Sequence, residues 1–203
     1  IAMPATFFPR DEAEAREATK KAWELRDKVS DYERLYINWN YATRVLRDQK
    51  AAKEALDVLT TAYPRDFAAR NNFGVYYNNA GEFEQALKQY LAASDIAPDE
   101  PGPISNAAYV LISMGRLDEA STYVDRALAI RPDGNLALSR WVVARMQDHP
   151  RSAEFEKVAR ELAGADQLSI GEAGLAAWQG RFQAYRKIQD DLIARSRAAG
   201  NDD

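Results

Sequence analysis

The sequence contains no cysteine and a single histidine. It therefore cannot build a disulfide framework, a thiolate nucleophile or a cysteine zinc site. A histidine-rich metal site and a pH switch built on several imidazoles are excluded on the same ground. Long apolar runs are missing as well. The longest lies near Ala107–Met114, far short of the ~20 residues a membrane-spanning helix needs. Excess charge of one sign is also absent: 27 basic side chains face 31 acidic ones, which leaves a formal −4 spread evenly along the chain. A nucleic-acid partner calls for a basic face, so none is expected. The 10 glycines are scattered and form neither a phosphate-cradling loop nor a Gly-x-Ser-x-Gly elbow.

What the chain does have is a period. Pro64, Pro98 and Pro132 stand 34 residues apart. Gly81 and Gly115 keep the same spacing, as do Ala52, Ala86 and Ala120, then Ala93 and Ala127, then Asn72 and Asn106. So many small, turn and breaker residues in one register mark a structural repeat. Within a period the pattern predicts helix, turn, helix. Phe73, Tyr76, Tyr77 and Ala80 recur at helical spacing over Phe67–Ala80. Gly81 breaks the run, and Phe83, Ala86, Leu87, Tyr90 and Leu91 resume it over Phe83–Ala97. Pro98 ends the second helix, because proline cannot continue it and disfavours helix in the residue before. Gly74, Ala86 and Ala93 are small enough to let two antiparallel helices approach closely, with Tyr77 and Tyr90 filling the remaining space.

The run Asn72-Phe73-Gly74-Val75-Tyr76-Tyr77, followed by Gly81, Ala86, Tyr90, Ala93 and Pro98, resembles a tetratricopeptide repeat. The next unit keeps Gly115, Ala120, Val124, Ala127 and Pro132, with Ala108 in place of Gly74 and Leu111 in place of Tyr77. The preceding unit keeps Ala52, Leu56, Leu59 and Pro64, but has Asn40 and Arg47 where the glycines would stand. The resemblance implies an all-α fold, an α-α superhelix (a right-handed solenoid) of about 11 antiparallel helices. A single solenoid is expected over residues 11–200. Its best-matching repeats are 33–66, 67–100 and 101–134, and degenerate repeats flank them at 11–32, 135–167 and 168–200. In the last of these, Gly171–Gln179 is read as the first helix and Phe182 to Arg197 as the second. Residues 1–10 are read as a disordered or cloning-derived N-terminus. They begin without methionine and lack the regions of a signal peptide.

A narrower resemblance lies in Arg16–Ile37. The segments Arg16-Glu17-Ala18-Thr19-Lys20-Lys21-Ala22 and Glu33-Arg34-Leu35-Tyr36-Ile37 are similar to a segment of bacterial tetratricopeptide regions C-terminal to serine/threonine kinases and related signalling domains. None of the kinase motifs is in these 203 residues, so any kinase would lie outside them. Absence of cysteine fits both sides of a bacterial membrane. The cytoplasm is the default, and a membrane-anchored kinase neighbour would place the region in the periplasm.

Candidate chemistry is thin. His149 sits in Asp148-His149-Pro150 with no second imidazole or thiol to join it, and reads as a surface-loop residue. Asp190 and Asp191 are sequence neighbours that diverge by ~100° on a helix, so they do not converge on one substrate. Asp202 and Asp203 read as a solvated tail. No catalytic, cofactor-binding or metal-binding residue is expected, and the chain reads as a non-enzymatic module for protein–protein interaction.

In the family that the repeats resemble, the first helix of each pair lines a concave groove. Carried over by position, the groove residues are Tyr41 and Arg44, then Asn71, Val75, Asn78 and Asn79, then Ser105, Tyr109 and Ile112. Ile37, Ser139, Val143 and Met146 extend the series on either side. Amides can bond the backbone of an extended peptide, and tyrosine gives rigid contact area. The Lys, Asn and Arg clamp with which one subfamily holds chaperone C-termini is missing, because Asn71, Val75, Ser105 and Tyr109 stand at its positions. The expected partner is a protein or peptide. The alternative is structural self-assembly as a homodimer, through an apolar edge around Trp23 and Leu25 where the chain starts in mid-repeat.

Overall fold

The computed structural model describes residues 12–198, and the reading of residues 1–10 lies outside them. The described residues form eleven α-helices and no strand. They fall into two compact units, one ending at Ile96 and the other beginning at Ala97, so the division comes at the Pro98 break.

The first unit contains α1 (Glu12–Glu24), α2 (Asp31–Asn40), α3 (Gln49–Ala62), α4 (Phe67–Asn79) and α5 (Phe83–Ile96). Three of these starts have a local cause. Ser30 and Glu33 form a reciprocal capping box on α2. Asp48 accepts from the amides of Lys50 and Ala51 to open α3, and Asp66 does the same for Ala68 and Ala69 of α4. The α4–α5 pair bears out the small-residue reading. A Cβ on Gly74 would stand 2.5 Å from a ring carbon of Tyr90, a separation that real Cβ atoms do not show. Ala86, Tyr90 and Ala93 are buried beneath it.

The second unit contains α6 (Pro101–Ser113), α7 (Leu117–Ile130), α8 (Gly134–Met146), α9 (Ser152–Ala163), α10 (Ala165–Trp178) and α11 (Phe182–Ala198). Pro101 stands at the start of α6, where proline loses no helical hydrogen bond. Ile104, Ala108, Val124, Ala127 and Leu136 form one buried cluster. Ala137, Trp141, Ala159, Leu168 and Leu175 form a second. Arg140 on α8 is buried, reaches Asp125 on α7 at 2.7 Å and lies over the Phe155 ring of α9 at 4.0 Å.

One boundary differs from the sequence reading. The first helix of the last pair starts at Ala165, not at Gly171. Gly164, at φ 87, both ends α9 and precedes α10, so one residue makes the turn. Gly171 serves packing instead: a Cβ there would lie 2.9 Å from Leu138 and Trp141.

The turns inside the helix pairs share one geometry. Gly81, Gly115 and Gly180 have φ of 76, 73 and 71°, and Asp148 takes the same left-handed region at 49°. In each, the next residue donates its amide to a carbonyl five residues back: Glu82 to Tyr77, Arg116 to Leu111, His149 to Ala144 and Arg181 to Ala176. The pair at 33–66 departs from this. Arg47 takes the left-handed position at φ 53°, and the Asp48 amide reaches back six residues to Ala42. The extra residue is taken up by a π-helical segment, Tyr41–Leu46, that continues α2 without a break.

Candidate peptide-binding groove

The second unit brings two of the expected groove residues together with new ones. Ser105 and Tyr109 on α6 border a cavity of about 220 Å³ whose far side is α8. Pro101, Gly102 and Asn106 share the α6 wall, Asn135 and Leu136 the α8 wall, and Arg131 and Asp133 come from the loop between α7 and α8. Tyr109 is 37% exposed, so its ring stands half in the cavity. Burial and the Asp133 carboxylate push its phenol above the ordinary range, while a hydrogen bond with Ser139 on α8 works against them. Ser105 donates its hydroxyl to the Pro101 carbonyl at 2.8 Å, which leaves its oxygen to act as an acceptor. Asp133 caps α8 through the Leu136 amide, which fixes its carboxylate at the rim. Ile112 lies a turn beyond Tyr109 on α6, half-buried, and is not among the cavity residues.

The period points to part of what the groove list left out: Asn135 stands one period after Pro101. Arg131 and Asp133 come from an interhelix loop, and no repeat position marks them.

In the first unit α4 carries Asn71, Val75 and Asn78 at positions i, i+4 and i+7, on one face, with Asn79 beside them. Val75 and Asn79 are exposed, and Asn71 and Asn78 half-buried. Tyr41 and Arg44 are turned elsewhere. The Tyr41 ring stacks on Trp23 of α1 at 4.2 Å and 14°, and Arg44 pairs with Glu12 at 3.6 Å. Both lie inside the π-helical segment. One inserted residue rotates the preceding part of a helix by ~100° relative to its expected face. Trp23 is covered by Tyr41 on one side and approached by the Arg26 guanidinium at 4.1 Å, while Leu25 and Val29 are exposed apolar groups near the expected N-terminal edge.

Sequence reasoning passed over a tyrosine cluster. Tyr32 and Tyr36 of α2 both donate to Oδ2 of Asp66, at 2.9 and 2.8 Å, and the Tyr63 ring meets Tyr32 edge-on at 4.9 Å. Asp66 thus caps α4 with one oxygen and gathers two phenols with the other. Burial and these contacts raise the Tyr36 phenol far above its ordinary range. The signal was available, since Tyr32 and Asp66 are one period apart.

His149 lies half-buried in its turn, its Nδ1 accepting from the Arg151 amide at 3.1 Å. Among the described residues no group of three or more metal-ligating side chains gathers, and no helix is long and apolar enough to cross a membrane.

Residues 80–139 match the family model of the tetratricopeptide repeat, from the turn after α4 to the middle of α8. Over those residues the chain carries the tetratricopeptide repeat. Solved structures agree on the fold. The MamA RS-1 ArsTM double mutant matches with a TM-score of 0.67 at 13% identity, over 85% of this chain and 99% of that one. Pseudomonas aeruginosa PilF matches with a TM-score of 0.61 at 16% identity, over 92% and 93%. A tetratricopeptide repeat protein from Parabacteroides merdae matches with a TM-score of 0.61 at 17% identity, over 91% and 68%. No curated protein sequence matches the chain. At these identities the likeness concerns the fold. Tetratricopeptide repeats are in general non-catalytic, and the fold supports a protein-interaction scaffold.

Proposed function

We propose that the chain is a non-enzymatic interaction module that holds an extended segment of a partner protein against the first helices of its repeats. The observation that carries this reading is the cavity between α6 and α8, bordered by Ser105 and Tyr109. It pairs a half-open aromatic ring with hydroxyl and amide groups, and adds one cation and one anion from the α7–α8 loop. Such a lining recognises a peptide backbone plus one inserted side chain, with Arg131 and Asp133 selecting flanking charge. Val75, Asn78 and Asn79 offer the corresponding face of α4 in the first unit. The likeness of Arg16–Ile37 to segments beside bacterial kinases supports a place in a larger signalling protein, with this chain as its recognition part.

Selection of peptides from a random library, followed by titration, tests the reading. Tyr109→Ala should weaken the selected peptides about tenfold or more, as loss of a central aromatic contact does, and leave the helix content unchanged. Selected peptides that bind wild type and Tyr109→Ala equally would refute the groove.

A further inference from the structure

Among the described residues, no helix other than α10 packs extensively on α11. The helix is 17 residues long and has no buried residue, whereas every other helix of its unit has at least one. Its half-buried apolar groups, Ala184, Ile188 and Leu192, recur every four residues, as a face laid on α10 would. A second apolar stripe lies about 100° round the helix from the first. Phe182 is 64% exposed, Tyr185 36% and Ile193 47%, and with Gln189 between them they fall within about 80° of arc on one side of the helix. Trp178, at the end of α10 and just before the turn into Phe182, is 61% exposed. A monomer does not ordinarily leave so many large apolar groups open on one element.

The charges beside the stripe say what fits it. Reading along α11, the basic Arg186 and Lys187 come first and the acidic Asp190 and Asp191 follow; Arg186 and Asp190 flank the stripe, and Lys187 and Asp191 lie on the other side of the helix. All four are exposed. Arg186 and Asp190 stand at i and i+4, as do Lys187 and Asp191, yet among the described residues neither pair forms an ion pair. Base before acid is the weaker order for bonding within one helix. The same order is complementary to itself when two copies run antiparallel. The level of Arg186 then meets the level of Asp190 on the other copy, and the reverse contact forms by symmetry. Phe182 of each copy falls near Ile193 of the other, with Tyr185 and Gln189 at the centre. In a parallel pair, like charges would meet.

We propose that a second copy of this chain occupies the face, giving a twofold dimer through antiparallel α11 helices. A twofold interface uses one patch on both subunits, and such a patch must be complementary to itself. This assignment stands on α11 alone and is independent of the α6–α8 groove.

Sedimentation and light scattering on the whole chain test it. Wild type should be dimeric at tens of micromolar. Phe182→Asp should weaken association about tenfold or more while the circular dichroism stays unchanged. Arg186→Asp and Asp190→Arg should each weaken it by about threefold at low salt, and the two together should restore it. Because the chain has no cysteine, Gln189→Cys reports directly. Oxidation should link two copies through that position, and Lys187→Cys, on the side away from the stripe, should link few. A monomeric wild type overturns the proposal, whether α11 stands bare or another part of a longer chain covers it. Association that survives Phe182→Asp, or a double charge swap weaker than either single one, overturns it as well.

Discussion

The helix pairs α2–α3 and α4–α5 solve the same turn differently. In the second, Gly81 supplies the left-handed residue, the helices close on each other over Gly74, and Tyr90 is sealed beneath. In the first, Arg47 supplies it, and a π-helical segment absorbs one extra residue. The cost of the second arrangement is intolerance: nothing larger than hydrogen fits at Gly74. The consequence of the first is a rotated face, which turns Tyr41 onto Trp23 and Arg44 toward Glu12. A repeat period thus fixes where the helices lie more firmly than which way their side chains point.

Substitutions can sharpen this contrast. The largest effect is expected from Tyr90→Ala, which empties a site only 2% exposed and should cost about 3–5 kcal/mol in denaturant unfolding. Tyr41→Ala in the other repeat removes a half-buried stack and should cost only about 0.5–1.5 kcal/mol. Gly74→Ala comes next. Its methyl group would press on the Tyr90 ring, and the overpacking should cost about 1–3 kcal/mol, read as a lower melting temperature.

Alkaline titration probes the first repeat through Tyr36. Its phenol is held above the ordinary 10.0 by burial first and by the Asp66 hydrogen bond second. A raised folded pKa means that the folded state keeps a proton the unfolded chain gives up. The stabilisation is therefore complete below pH 10 and is lost as the pH climbs above it. The melting temperature should fall above pH 10, and fall less steeply in Tyr36→Phe. The smallest effects belong to the turn residues. Gly81→Arg should cost about 1–2 kcal/mol, the usual charge for a side chain in the left-handed region. Arg47→Gly should recover no more than about 1 kcal/mol, because glycine also loses more freedom on folding. Equal and opposite shifts would show that the π-helical segment plays no part in relieving Arg47.

Much of the fold was legible because breakers carry it. Pro64, Pro98 and Pro132 end helices wherever they stand, and Gly81 and Gly115 turn the chain whatever surrounds them. Arg47 was not legible as a turn residue, because nothing about an arginine announces a positive φ. The π-helical segment was silent for a related reason, since one residue inserted within a helix leaves no breaker behind. Gly171 misled in the opposite direction, a glycine that serves helix packing rather than a boundary. At the groove, Ser105 and Tyr109 followed from their register, while Arg131 and Asp133 lie in a loop whose position only the packing of α7 on α8 decides.

Amide hydrogen exchange of the chain with and without a selected peptide tests the central claim most directly. First-helix binding predicts slowed exchange in Pro101–Ser113 and Gly134–Met146, around Tyr109 and Ser139, with Leu117–Ile130 and Ser152–Ala163 unchanged. Protection confined to those second helices would contradict it.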